Sequence, residues 1–329
     1  MTPFAFASAG RVADAVAATS PDTAFLAGGT ELVNWMRLGI AAPERLLDIG
    51  RLAELDRIEP MSGGGLKIGA LVRLGDLGRD ATIARDYPVL SQAVRSAASA
   101  QLRNLATIGG NVLQKTRCPY FRAEEALPCN KRAPGSGCAA REGHNEMHAI
   151  FGWSDACVAT QPSDPAVALA ALDAVIVTES QQGPRRIPAR EFHTLPGDTP
   201  DRDNVLRPGE LIVGIELGTP APRSAYLKLR ERESYEFATV SAAVALETDG
   251  DGGTIRTARI ALGSVAHRPW RLDKAEAALA GQRLGGDAVA RALDAAFAEA
   301  RPLAHNAHKV TLARNAALRA LAMAAEATP

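Results

Sequence analysis

The chain has 329 residues, of which 37 are Lys or Arg and 37 are Asp or Glu, so its formal net charge is zero. That balance leaves no basic field to hold nucleic acid or an anionic membrane surface, and the length suits about two or three domains of roughly 150 residues each. No run of about 18 apolar residues is present, and no positive n-region precedes an apolar stretch, so we expect a soluble protein with no export signal of its own.

In chain order, the first fifty residues alternate: a helix over VADAVAAT, a strand over TAFLAGG, a second helix over TELVNWMRLG and a strand over RLLDI. This αβαβ order defines a small α/β unit. Next, DRIEP and LKIGALV flank MSGGG as a hairpin, and DYPVLSQAVRSAAS has helical apolar spacing. After an interruption, PAVALAALDA leads into the strand AVIVTES. A third part begins near LRPGELIVGIEL and continues through SAYLKLRERE, ATVSAAVALE and TIRTARIALGS. Between the last two lies DGDGG, a hairpin turn that lacks the later ligands and closing Glu of a calcium loop. Three Ala-rich helical patterns follow, and strands succeeded by helices indicate an α+β arrangement. The expected fold is therefore α+β in three parts: residues 1–55, residues 56–217 with an insertion at 112–160, and residues 218–329 with a three-stranded sheet and helices.

Two glycine pairs stand out. In FLAGGTELV an apolar strand runs into Gly28 and Gly29, after which Thr30 can cap a helix starting at Glu31. Glycines there let the backbone turn tightly and let a phosphate approach the amide N–H groups. An ordinary strand-to-helix turn fits the same pattern. In ATIGGNVL, Thr107, Gly109, Gly110 and Asn111 follow a helix and Arg103, and two such glycine turns could grip the two ends of one dinucleotide. Neither is the G-x-G-x-x-G fingerprint with its later acidic residue, so a Rossmann site has no support.

The four cysteines, Cys118, Cys129, Cys138 and Cys157, are confined to one segment, with spacing C-x10-C-x8-C-x18-C and no C-x-x-C knuckle. Four cysteines are too few to staple so long a chain, which argues against a disulfide framework. Zinc, an iron–sulfur cluster and cysteines without a ligand role all fit the spacing. Arg117, Lys131, Arg132 and the PGSG backbone suit a net-negative centre. His144 and His148 in GHNEMH read as surface residues and receive no role, and no nucleophile–base triad is present.

Together, AGGTEL, ATIGGN, RCPYFR, PCNKR, PGSGCAA, HAIFG, C-x-A-T-x-PSD and VALAALDA resemble the flavin subunit of the molybdenum hydroxylases. The likeness is to the branch in bacterial heterotrimeric aldehyde and xanthine dehydrogenase-like enzymes whose flavin subunit carries an extra [4Fe-4S] cluster. The resemblance implies an FAD-binding domain of vanillyl-alcohol-oxidase type in two α/β parts, followed by a C-terminal α+β domain. It implies FAD contacts from Leu26, Ala27, Gly28, Gly29, Thr30, Glu31 and Leu32, from Thr107, Gly110 and Asn111, and from Asp164, Ile212 and Lys228. It also implies cluster ligation by Cys118, Cys129, Cys138 and Cys157. The implied partners are a molybdopterin-binding large subunit and a small [2Fe-2S] subunit, with the complex in the cytoplasm, or in the periplasm if a signal-bearing partner carries it there. Two positions depart from the family pattern: Glu146 stands where Arg is usual, and Arg73 where Thr is usual. A stand-alone FAD-dependent reductase of the same fold and a zinc-braced scaffold are the alternative readings.

Overall fold

Three short runs near the N-terminus form a parallel sheet, β1 (Ala5–Ser8), β2 (Thr23–Leu26) and β3 (Arg45–Asp48), in the order β1-β3-β2. Each connection carries a helix, Val12–Ala17 or Leu32–Arg37, because parallel neighbours need a crossover. β1 is an addition to the expected αβαβ order: AFAS is only four residues at a sheet edge, mostly exposed, and too short for a pattern to show. The computed structural model describes residues 1–249 and 253–327, so residues 250–252 of the expected DGDGG turn lie outside the described residues.

The second sheet contains β4 (Ile58–Pro60), β5 (Leu66–Gly69), β6 (Val175–Glu179), β7 (Arg185–Pro188) and β8 (Leu211–Leu217). Its strands pair antiparallel in the order β4-β5-β8-β6-β7. β8, the LIVGIEL run at the end of the expected 56–217 part, occupies the centre of this second sheet. Its nearly continuous burial reflects neighbours on both sides. β7 also escaped prediction, since RRIP is charged and ends in proline, a composition suited to a sheet edge.

The third sheet holds β9 (Ser224–Leu229), β10 (Val240–Thr248), β11 (Ile255–Gly263) and β12 (Trp270–Arg271), antiparallel in the order β12-β11-β10-β9. The two-residue β12 makes four strands instead of the expected three. Helices Asp273–Leu279, Asp287–Phe297 and His308–Glu326 account for the three Ala-rich patterns. Side chains alternate across a strand, and β10 uses both of its faces. Ala242, Val244 and Leu246 join the core beneath the C-terminal helices, whereas Ala243 and Ala245 join the core of the second sheet. Between the second and third sheets lies helix Asp164–Ala171, buried along its whole length, as expected for a helix that is apolar all round.

Arg271 clamps this junction. Its guanidinium donates to the Ala170 carbonyl at 2.8 Å, to Asp173 at 2.5 Å and to both carboxylate oxygens of Glu276 at 2.7 and 2.6 Å. Only 6 % of the side chain is exposed. Arg271→Ala leaves the half-buried ion set without its cation and should destabilise the chain by about 3 kcal/mol in denaturant unfolding; Arg271→Lys should recover only part of that loss.

Candidate cofactor site

A cleft of about 610 Å³ opens where the three sheets meet, a size suited to an organic cofactor. One wall is the Gly28–Gly29 turn after β2, and a second is the segment around helix Ile108–Val112. The start of β8 and residues 232–237 after β9 complete it. Gly28 is where the first two walls touch: a Cβ there would lie 1.9 Å from the Leu105 carbonyl oxygen. Gly29 has φ +71°, a conformation that side-chain-bearing residues resist. All the expected contact residues except Leu26 and Lys228 line the cleft.

The two glycine segments differ in what they offer a ligand. No hydrogen bond from the amides of Gly28, Gly29 or Thr30 to another protein group occurs among the described residues, so three successive N–H groups stand available at the cleft. In the second segment the amides are already used. Ile108 and Gly109 donate to the Val72 and Ala70 carbonyls, both at 2.9 Å, Gly110 donates to the Thr107 hydroxyl at 3.2 Å and Asn111 to the Thr107 carbonyl at 2.8 Å. The expectation of two strand-and-glycine turns is corrected here. Gly109 and Gly110 sit inside a short helix capped by Thr107, and only the Thr107 and Asn111 side chains remain to face a ligand. Thr30 is not a cap either: helix Leu32–Arg37 begins one residue later, with Glu31 at the cap position and no side-chain capping bond.

Ser163, not Asp164, caps helix Asp164–Ala171, accepting from the Ala166 amide at 3.1 Å while its hydroxyl donates to Asn111 Oδ1 at 2.6 Å. Asp164 is thereby left at the inner end of the cleft. Its carboxylate accepts from the Tyr226 hydroxyl at 2.5 Å and from Lys228 Nζ at 2.8 Å. Burial pushes Asp164 up from the usual carboxylate range, with Lys228 and Tyr226 acting in the opposite direction. Lys228 itself is off the cleft wall, 3 % exposed and also bonded to the Ser96 carbonyl at 3.1 Å. Sequence reasoning missed Trp35, Arg117 and the loop residues Arg232, Tyr235, Glu236 and Phe237. The charges in RERE carry no signal of a cleft, and the aromatic pair in SYEF is the one local feature that could have given it.

The four cysteines, all within one segment of the chain, line one small cavity and form no disulfide. Cys129 and Cys138 oppose each other across an isolated antiparallel bridge. A hydrogen bond from Cys157 lowers Cys138 to about 6, and the same bond together with burial pushes Cys157 up. Burial raises Cys118 to about 11. The open volume is only about 10 Å³, and among the described residues no three His, Cys, Asp or Glu side chains form a ready-made site for a single metal ion. That volume is at the lower limit for a single water.

His148 was expected at the surface, yet it is 3 % exposed and places Nε2 3.2 Å from Cys118 Sγ. His267, which no sequence pattern singled out, stands 3.6 Å from Cys157 Sγ. Burial, reinforced by nearby lysines, lowers His148 to about 4 and His267 to about 3, so both are neutral at pH 7. The basic residues expected beside the thiols pair elsewhere. Lys131 donates to Asp203 at 2.6 Å and to the Pro200 carbonyl at 2.5 Å, Arg132 to the Ala123 carbonyl at 2.6 Å, and Arg117 to Glu31.

Residues 2–220 match the family described as the FAD binding domain in molybdopterin dehydrogenase, and residues 224–324 match the CO dehydrogenase flavoprotein C-terminal domain. The chain belongs to this family of FAD-binding oxidoreductase subunits. It is 48% identical over 306 residues, 92% of each chain, to the aldehyde oxidoreductase FAD-binding subunit PaoB of Escherichia coli K12. It is also 29% identical to the carbon monoxide dehydrogenase medium chain of Hydrogenophaga pseudoflava over 85% of this chain and 80% of that one. The solved structure of carbon monoxide dehydrogenase from the latter organism, in a form lacking the Mo-pyranopterin moiety, superposes with a TM-score of 0.75 over 98% of this chain and 97% of that one.

Two expectations follow from the site. Gly28→Ala forces the turn away from Leu105 and should destabilise the chain by about 2 kcal/mol while weakening any ligand held by the neighbouring amides, as thermal unfolding and titration will show. Asp203 is the second case. Burial acts to raise it, but Lys131 and Lys115 outweigh burial and hold it at about 2. A folded-state value below the unfolded one stabilises above about pH 4, and that stability disappears as pH falls towards 2. Asp203→Asn should therefore cost about 2 kcal/mol at pH 7 and measurably less at pH 3, read by denaturant unfolding at both.

Proposed function

We propose that this chain is the electron-transfer flavin subunit of a molybdenum-containing hydroxylase of aldehyde or xanthine dehydrogenase type. It takes electrons from the [2Fe-2S] clusters of a small partner subunit, while a molybdopterin-binding large subunit hydroxylates the substrate, and it delivers them to an external acceptor. The observation that carries this reading is the cleft, whose lining combines three unbonded amides, the Thr107 and Asn111 side chains and apolar side chains such as Leu32, Leu71 and Ile212. In this reading Gly28, Gly29, Thr30, Thr107 and Asn111 hold the phosphates of FAD, and Leu32, Leu71 and Ile212 face its rings. When bound, FAD supplies the exchange between one- and two-electron transfer that such a relay needs. Lys228 and Tyr226 each hold one oxygen of the Asp164 carboxylate and so fix its position at the cleft lining.

Residues 1–55 and 56–217 make up the flavin domain in this proposal, the insertion at 112–160 carries the second centre, and residues 218–329 close the cleft. Cys118, Cys129, Cys138 and Cys157 would hold a [4Fe-4S] cluster: an all-thiol donor set with neutral imidazoles beside two sulfurs suits iron–sulfur ligation. Among the described residues no helix is long and apolar enough to cross a membrane, and the proposed complex works in the cytoplasm or is carried to the periplasm by a partner.

The test is the composition of the purified chain. We expect noncovalent FAD that acid precipitation releases, and about four irons per chain that fall sharply in Cys129→Ser. A well-folded chain that stays colourless when FAD is added overturns the cleft assignment. One zinc and no iron would make the cysteine segment a structural metal site.

A further inference from the structure

Helix Leu32–Arg37 leads directly out of the Gly28–Gly29 turn, and Glu31, Leu32, Asn34 and Trp35 are part of the cleft wall. Six residues are too few to make a helix stable by themselves, and this one lacks a side-chain cap, so its position must be set from outside. The groups that set it come from the cysteine segment. Glu31, at the helix start, accepts from Arg117 Nη2, from Arg122 Nη2 at 3.1 Å and from Trp35 Nε1 at 2.8 Å. Arg117 immediately precedes Cys118, and Arg122 ends the short helix Pro119–Arg122 that follows it. At the other end, Arg132, three residues beyond Cys129, donates to the Leu38 carbonyl at 3.3 Å. Between them the Lys115 ammonium lies 5.6 Å from the centre of the Trp35 ring.

This grip is partly shielded from water, with 16 % of the Glu31 side chain and 17 % of Arg122 exposed. Charge-assisted bonds in such surroundings are stronger than surface ion pairs and hold a narrower geometry. Arg117 also lies 4.4 Å from the centre of the Phe237 ring, so the same guanidinium touches the loop that covers the cleft from the C-terminal side. Glu31 is thus shared by two sites: it lines the cleft, and it fixes both flanks of Cys118.

We infer that Glu31 and Arg122 are positioning residues that couple the cysteine centre to the dinucleotide cleft, with helix Leu32–Arg37 as the element between them. Filling either site orders the helix and tightens the other, and linkage makes the effect reciprocal. The identities of the two ligands rest on the proposed function; the link itself rests on the ion pairs.

Arg122 is the residue to change, because it does not line the cleft. In the full chain with no ligand added, Arg122→Ala should speed amide hydrogen exchange in residues 31–37, and Glu31→Ala should speed it in residues 116–122. In the presence of FAD, Arg122→Ala should raise the dissociation constant about fivefold or more, and Arg122→Lys, which still brings one cation to Glu31, should restore most of the affinity. Should the alanine variant fail to fold, Arg122→Gln serves in its place. Unchanged exchange in residues 31–37, or unchanged FAD affinity in a folded Arg122 variant, overturns the coupling. A wild-type chain that binds no FAD overturns the proposed function instead, and the exchange measurement still decides the link.

Discussion

The structure depends on one close approach, the contact between Gly28 and the Leu105 carbonyl, which leaves no room for a Cβ. It brings the turn after β2 against the segment leading to helix Ile108–Val112, so two parts of the chain with separate sheets share one cleft. The turn is tied down through its carbonyls, with the Val33 amide donating to Gly29 at 3.2 Å and Asn34 Nδ2 to Thr30 at 3.0 Å, so its amides remain available to a ligand. In the second segment the amides are spent on building the junction, and side chains take over the role of facing the cleft.

Around that contact, buried carboxylates set the geometry. Asp164 is held by Lys228 and Tyr226, Asp203 by Lys131 and Lys115, and Glu31 by Arg117 and Arg122. In each case acid and cation come from different segments. Partly buried ion pairs of this kind add net stability only where attraction outweighs desolvation, as it does at Asp203, and breaking one leaves a charge without a partner. Their effect is to select one arrangement of segments over its near alternatives. The cysteine segment, with little regular secondary structure beyond Pro119–Arg122, is fixed largely by such pairs.

The cysteine centre shows the same economy at shorter range. Cys157 stabilises the thiolate of Cys138, and two neutral imidazoles stand beside Cys118 and Cys157, so the protein keeps the four thiols together without a disulfide. The cationic side chains nearby, which the composition of the segment had placed beside the sulfurs, are occupied in anchoring the segment to the rest of the chain. Lys131 also favours the thiolate of Cys157, against the burial that disfavours it.

By itself the sequence determined what depends on neighbours in the chain. The apolar runs of β2, β10 and β11, the Ala-rich helices, the two glycine pairs, the clustering of the cysteines and the acidic residue in PSD were all legible, because apolar pattern and turn chemistry act over a few residues. The motif resemblance added which of these residues share a site. What only the tertiary structure decided were pairings across long separations. It placed LIVGIEL in the centre of the second sheet, added the short edge strands β1, β7 and β12, turned Lys228 towards Asp164 and away from the cleft, and buried His148 against Cys118. The same holds for Glu31, whose partners Arg117 and Arg122 lie 86 and 91 residues further on. Such partners are chosen by burial and by the geometry of folded segments, and a charged residue in a linear chain looks the same whether water or another charge will neutralise it.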